Sequence, residues 1–313
     1  MSASKGTRAV VAALLANLGI AISKFIAFLF TRSSSMLSES VHSVADSGNQ
    51  ILLLVGQKRA RRMATSEHPF GYGRSRYVYA FIVSIVLFSL GGVFALYEGW
   101  HKLTNREPLS NPVWAFAVLG VAIVLEALSL RAAVHESNRL RAGVPWNQFV
   151  RRAKAPELPV VLLEDTGALL GLIFALFGVT AAFITNDGRW DGIGSLAIGA
   201  LLVTIAVFLA WEMNSLLIGE SGTAEHVATI RKALEAGDDI ERVIHLKTLH
   251  LGPDELMVAA KIAVRHDETA SAVARAINAA ESRIRNAVPI ARVIYLEPDI
   301  FAAQSSPAGE DKP

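Results

Sequence analysis

Residues 38 to 50 read SESVHSVADSGNQ and carry Glu39, His42, Asp46 and Asn49 between apolar flanks. At about 100° per residue these four positions fall within an arc of roughly 80°, one stripe down a helix. His42 and Asp46, at i and i+4, offer an imidazole nitrogen and a carboxylate on adjacent turns, a pair that can reach one divalent cation. Four N/O ligands in a tetrahedral set suit zinc, so two more must come from elsewhere. The candidates are Glu164 and Asp165, side by side in PELPVVLLEDTGALLG, and Glu126 in IVLEALSL. Adjacent helical residues point about 100° apart, so one of Glu164 and Asp165 serves as ligand while the other supports it or pairs with a neighbouring helix. No obvious Lys or Arg within the apolar segments neutralises them, which leaves a bound cation or protons. The competing reading of the stripe is interhelical hydrogen bonding. It suits Asn49 and Ser40, whereas the ionisable pair His42 and Asp46 points to an ion or proton path.

The elements that position these residues are membrane helices. The chain has 313 residues, 52% hydrophobic and 19% charged, with a mean hydropathy of +0.39, too apolar for an ordinary soluble chain of this length. Apolar runs long enough to span a bilayer occur at 9–30, 36–57, 77–99, 112–134, 158–184 and 192–218, so six transmembrane helices are expected over residues 1–219. The first run lacks a small-residue cleavage site and reads as a span rather than a signal peptide. Short loops with excess Lys and Arg face the cytoplasm. Lys58, Arg59, Arg61, Arg62, Arg74 and Arg76 fill one loop, and Arg131, Arg139, Arg141, Arg151, Arg152 and Lys154 another. The opposite loops hold Arg32, then Lys102 and Arg106, then Arg189. Both termini are thus expected in the cytoplasm, in agreement with Lys5 and Arg8. Topology and contact with lipid headgroups account for the basic loops, and no nucleic-acid role is expected.

After residue 219 the composition turns mixed and charged. Residues 223–237 and 269–287 read as helices, the second with Val273, Ile277, Ala280 and Ile284 on one face. Residues 242–251, 255–265 and 291–297 read as strands. The order αββαβ predicts a small cytoplasmic α+β, ferredoxin-like domain over 220–300, one sheet covered by two helices. About 80 residues make a small core, so a homodimer partner is expected to help bury it. The polar tail 301–313 is expected to be disordered.

Several classes are excluded. The chain has no cysteine, hence no thiolate chemistry. The nearest string to H-E-x-x-H, HESNR, ends in Arg139, and no Walker A motif is present. Neither an intramembrane metalloprotease nor an ATP-driven pump fits, and neither an enzyme nor an organic cofactor is expected.

Six spans, a [HD]-x-x-x-D pair at His42 and Asp46, the loop HPFGYGRSRY matching H-x-[FY]-G-x-G-[KR], and the αββαβ tail together resemble the cation diffusion facilitator family. The LLEDT and ESVHSVADSGNQ strings resemble its branch related to the mitochondrial zinc transporter 9 type. The resemblance implies a transport metal site of His42, Asp46 and Asp165. Val161 falls where a fourth ligand would stand, so Glu164, Glu126 or water completes the shell, with Glu39 and Asn49 as further candidates. Gly171, six residues after Asp165, supports that register. Auxiliary metal positions of the family map onto His68, His245 and Glu297. They are depleted here, because Tyr72, Lys261 and Tyr295 stand where histidines would, and His68, His245 and His250 read as ordinary hydrogen-bonded or solvated side chains.

The expected function is a homodimeric secondary transporter that exports a divalent cation, zinc before iron, manganese, cobalt or cadmium, in exchange for protons. An imidazole titrates near neutral pH when unperturbed, and ligands must shed protons to take metal. A bacterial inner membrane is the simplest setting.

Overall fold

The computed structural model describes residues 18–105, 112–141 and 143–300. The start of the first apolar run, Lys5, Arg8, Arg106 and the tail 301–313 lie outside the described residues. The chain divides into two compact units at the Ile218/Gly219 junction.

The first unit is helical. Its helices are α1 (Leu18–Thr31), α2 (Ser34–Ala60), α3 (Ser75–Thr104), α4 (Pro112–Arg141), a short α5 (Trp146–Arg152), α6 (Glu157–Thr185) and α7 (Arg189–Ile218). Among the described residues four helices, α3, α4, α6 and α7, are long and apolar enough to cross a membrane, against the six expected. The difference lies in α1 and α2. α1 is apolar but its described part is short. α2 has the length, yet its serines and ionisable residues make it too polar by composition. It tolerates them by turning Ser34, Ser35, Ser38, Glu39, His42 and Asn49 inward, all of them buried.

Polar anchors hold that unusual helix. Asp191, at the start of α7, is fully buried. Its carboxylate accepts from the Ser33 hydroxyl at 2.7 Å and from the Ser34 backbone N–H at 2.7 Å. A carboxylate set against the unsatisfied amides of a helix N-terminus meets both their hydrogen-bonding need and the positive end of the dipole. One turn on, the hydroxyls of Ser38 and Ser195 lie 2.6 Å apart. α3 packs on α7 through glycines: a Cβ added at Gly99 would stand 2.8 Å from the Gly192 carbonyl oxygen, and one at Gly199 2.7 Å from the Leu96 amide nitrogen. Small residues allow such close approach of membrane helices. Within α3, residues Leu87–Val93 wind as a π-helix.

The second unit contains α8 (Ala224–Glu235), β1 (Arg242–Gly252), β2 (Glu255–Ala263), α9 (Ala270–Ala287) and β3 (Ala291–Asp299). Thr223 and Thr269 cap the two helices, each hydroxyl accepting a backbone N–H from the first turn. The sheet order is β1-β2-β3. β1 and β2 form an antiparallel hairpin, and the crossover through α9 brings β3 parallel to β2. Ile230, Leu234, Val243, Leu256, Val258, Ile262 and Ile284 fill the core. On α9 the buried face centres on Ala276, Ala280 and Ile284, with Val273 half-buried at its margin.

Candidate cation site

The stripe on α2 faces the interior of the bundle. Glu39, His42 and Asn49 are fully buried, and the Asp46 side chain keeps 17% exposure. His42 Nδ1 lies 3.5 Å from Asp46 Oδ1, in a geometry that makes no hydrogen bond, and neither ring nitrogen of His42 has a hydrogen-bond partner. A buried imidazole with both nitrogens idle is costly, and it is a ready ligand. It rests against the π-turn of α3, where a Cβ added to Gly91 would come within 3.6 Å of His42 Nδ1. π-turns inside α-helices are frequent at functional sites.

Asp46 opens onto a crevice of about 20 Å³, room for a water molecule or a bare ion. Glu126 from α4 and Glu164 and Asp165 from α6 line it too, and so does Val161, a full turn before Asp165. The adjacent pair diverges as helical geometry requires. Glu164 Oε1 accepts from the Asn49 amide at 2.6 Å, toward α2, and Asp165 Oδ2 accepts from the Ser129 hydroxyl at 3.0 Å, toward α4. Asn49 holds that carboxylate through its amide nitrogen, while its own Oδ1 is buried without a hydrogen-bond partner. Among the described residues no three His, Asp or Glu side chains stand close enough to hold one ion together. The crevice gathers Asp46, Glu126, Glu164 and Asp165 along its walls, while His42 sits behind Asp46.

The expectation that no cation within the spans accompanies these carboxylates is corrected. Lys24, on α1, is fully buried, and its Nζ donates to Glu39 Oε2 at 3.0 Å and to the Ser43 hydroxyl at 2.8 Å. A buried lysine must be paired to remain charged, and Glu39, expected as a possible ligand, is that partner. The signal was the lone Lys24 in AISKFIAFLF, about four turns into an apolar run. Asp191 was also passed over, because it falls at the very start of a span.

The auxiliary positions are not assembled. His68 is exposed in the loop before α3 and meets the Tyr72 ring edge-on, with centroids 4.6 Å apart. His245 is exposed on β1 opposite Lys261. The Lys261 ammonium lies 3.2 Å from Glu297 and 3.0 Å from Asp299, so the carboxylate that would join His245 on a metal is already taken. Hydrogen bonds that the Lys261 ammonium donates to Asp299 and Glu297 hold its pKa above the usual range. His250 is buried, with Nδ1 3.1 Å from the Gly252 carbonyl oxygen.

The sequence model of the cation efflux transmembrane domain matches residues 10–218. The chain belongs to the cation diffusion facilitator family. Within that family it falls on the zinc transporter 9 branch. It is 32% identical over 241 residues to the human "Proton-coupled zinc antiporter SLC30A9, mitochondrial", covering 76% of this chain and 42% of that protein. It is 30% identical over 257 residues to "Metal tolerance protein C4" of Arabidopsis thaliana, 82% of this chain and 56% of that one. A third relative, "Manganese efflux system protein MneP" of Bacillus subtilis, is 23% identical over 263 residues, 82% and 83% of the two chains. The chain spans less than half the length of the SLC30A9 proteins it matches. As a facilitator-family member with apolar helices of bilayer length, it is an integral membrane protein.

Proposed function

We propose that this facilitator exports a divalent cation, zinc first, from the cytoplasm in exchange for protons, through the crevice between α2, α4 and α6. The observation that carries the reading is the convergence of Asp46, Glu126, Glu164 and Asp165 from three helices on one ion-sized crevice, with the unpartnered ring of His42 beside it. Uncompensated carboxylates in hydrocarbon are expensive, so such a cluster is held neutral by protons or by a cation. Those two occupants exclude one another, which is the chemical basis of exchange.

His42, Asp46 and Asp165 are the ligands we assign, with Glu164 or Glu126 completing the shell once the ion draws α2 and α6 together. On the less acidic side the ligands shed protons and take the metal, and on the more acidic side protons displace it. The imidazole favours zinc over harder ions, and the proton-coupled zinc antiport for which the SLC30A9 relatives are named supports zinc and proton coupling. Iron, manganese, cobalt and cadmium remain alternative cargo, manganese being the ion in the name of the Bacillus relative. The basic loops support a cytoplasmic second unit and cytoplasmic termini. The SLC30A9 proteins are mitochondrial by name, so the bacterial inner membrane expected above finds no support there.

Uptake into proteoliposomes tests this, with zinc, manganese, iron, cobalt and cadmium offered in turn under an imposed pH gradient. Saturable zinc uptake that collapses with the gradient is expected. Gradient-independent uptake, or none for any of these metals, overturns the reading.

A further inference from the structure

The Lys24–Glu39 pair stands directly beside the crevice and is not used by the exchange just described. Lys24 Nζ has two acceptors, Glu39 Oε2 and the Ser43 hydroxyl. Ser43 also lines the crevice, so the ammonium lies one hydroxyl away from the space shared by Asp46, Glu126, Glu164 and Asp165. Glu39 keeps its other oxygen, Oε1, buried without a hydrogen bond. On its far side is Gly171 of α6, where an added Cβ would lie 2.5 Å from that oxygen. The glycine thus makes room for a carboxylate. An apolar pair of equal size would fill this position without such costs, since burying an ion pair seldom adds stability.

Resting on the reading of the crevice as the cation path, we propose that Lys24 is a tethered counter-cation of the transport site, held off the ion's position by Glu39, so that this pair sets the affinity for the divalent ion. The ammonium supplies one fixed positive charge that offsets the excess of carboxylates when the site is empty. As an ammonium it has no lone pair to offer a metal, so it acts through its charge alone. Glu39 controls how strongly that charge is felt. Freed from Glu39, the ammonium turns through Ser43 toward the crevice carboxylates and competes with the ion. Removed altogether, it leaves Glu39 as one more unneutralised carboxylate near the ion. Lys24 and Glu39 are positioning residues in this scheme, and the two single changes act in opposite directions.

The test uses the full chain in proteoliposomes with zinc as the probe, reading KM and the maximal rate separately. It also reads the thermal unfolding temperature in detergent with and without zinc. Glu39→Gln should raise KM by about tenfold or more, as expected for a unit charge moved toward the site, with a smaller change in maximal rate. Lys24→Met should lower KM, and the double variant, whose neutral pair has the same net charge as the original, should return KM to within about threefold of the parent chain. Zinc should raise the unfolding temperature more in Lys24→Met, and less in Glu39→Gln, than in the parent. If Glu39→Gln fails to fold, Lys24→Met and the double variant carry the comparison, since a structural clamp alone would lower both unfolding temperatures and leave both KM values at the parent's. Unchanged KM across the variants overturns the proposal. If Asp46→Ala and Asp165→Asn also transport zinc normally, the reading of the crevice has failed. If those two are dead while the pair's variants keep the parent KM, only this inference has failed.

Discussion

Asp46 holds the shared edge between His42 and the crevice, which makes its removal the sharpest single test of the ligand set. Asp46→Ala should abolish saturable zinc uptake in proteoliposomes while the protein remains folded and monodisperse. His42→Asp keeps a ligand but replaces nitrogen with a hard oxygen, so preference for zinc over manganese should fall. The pH dependence of uptake should move as well, because the protons that compete with metal then meet a carboxylate where the ring nitrogen stood. Unaltered selectivity and pH profile in both variants would make the stripe an assembly of interhelical hydrogen bonds. On α6, Asp165→Asn should eliminate uptake and Glu164→Gln weaken it less. The reverse order would make Glu164, held by Asn49 on the α2 side, the direct ligand. Much of this was legible in the sequence. His42, Asp46, Glu126, Glu164 and Asp165 stand out because ionisable residues are rare in apolar runs. Lys24 was missed because a single lysine can also extend its amine to a membrane surface, and nothing in the local sequence says that its partner lies on the next helix.

At the scale of elements, the glycine contacts decide how closely α3 and α7 approach. Gly99→Ala places a methyl group 2.8 Å from the backbone oxygen of Gly192, which cannot turn aside as a side chain can. It should therefore destabilise the protein by about 1–3 kcal/mol, seen as a lower unfolding temperature in detergent. Gly120→Ala on α4 is the matched control: nothing stands within 4 Å of the added Cβ, so it should be neutral or stabilising. A drop at Gly120 equal to that at Gly99 would show that helix contacts do not explain the effect. The helices and strands themselves were readable, since hydrophobic periodicity marks them. The expected strands at 242–251, 255–265 and 291–297 lie against the observed Arg242–Gly252, Glu255–Ala263 and Ala291–Asp299. The π-turn at Leu87–Val93 left no such trace. A wider turn changes the helical period only locally, and this one lies where Gly91 and Gly92 pack against Leu202 and Val203 on a different helix.

For the whole molecule, the small second unit and its modest core favour assembly in pairs. The purified protein in mild detergent should run as a dimer by light scattering coupled to size exclusion. A monomer that still transports zinc would remove the need for a partner. A different consequence follows from the Asp191 carboxylate. It grips the first residues of α2, by the Ser33 hydroxyl and the Ser34 amide, so that end of the cation-bearing helix is welded to α7. Ser38, Glu39 and Asn49 tie α2 further along, so a swing about the Asp191 end would be taken up beyond Asn49 and is expected to widen toward Ala60, on the side where the basic loop begins. Spin labels at positions 32 and 189 should report the same distance in zinc-free and zinc-bound protein, whereas labels at 59 and 217 should move apart or together. Equal displacement at both ends would mean that the helix slides as a body and has no lever arm.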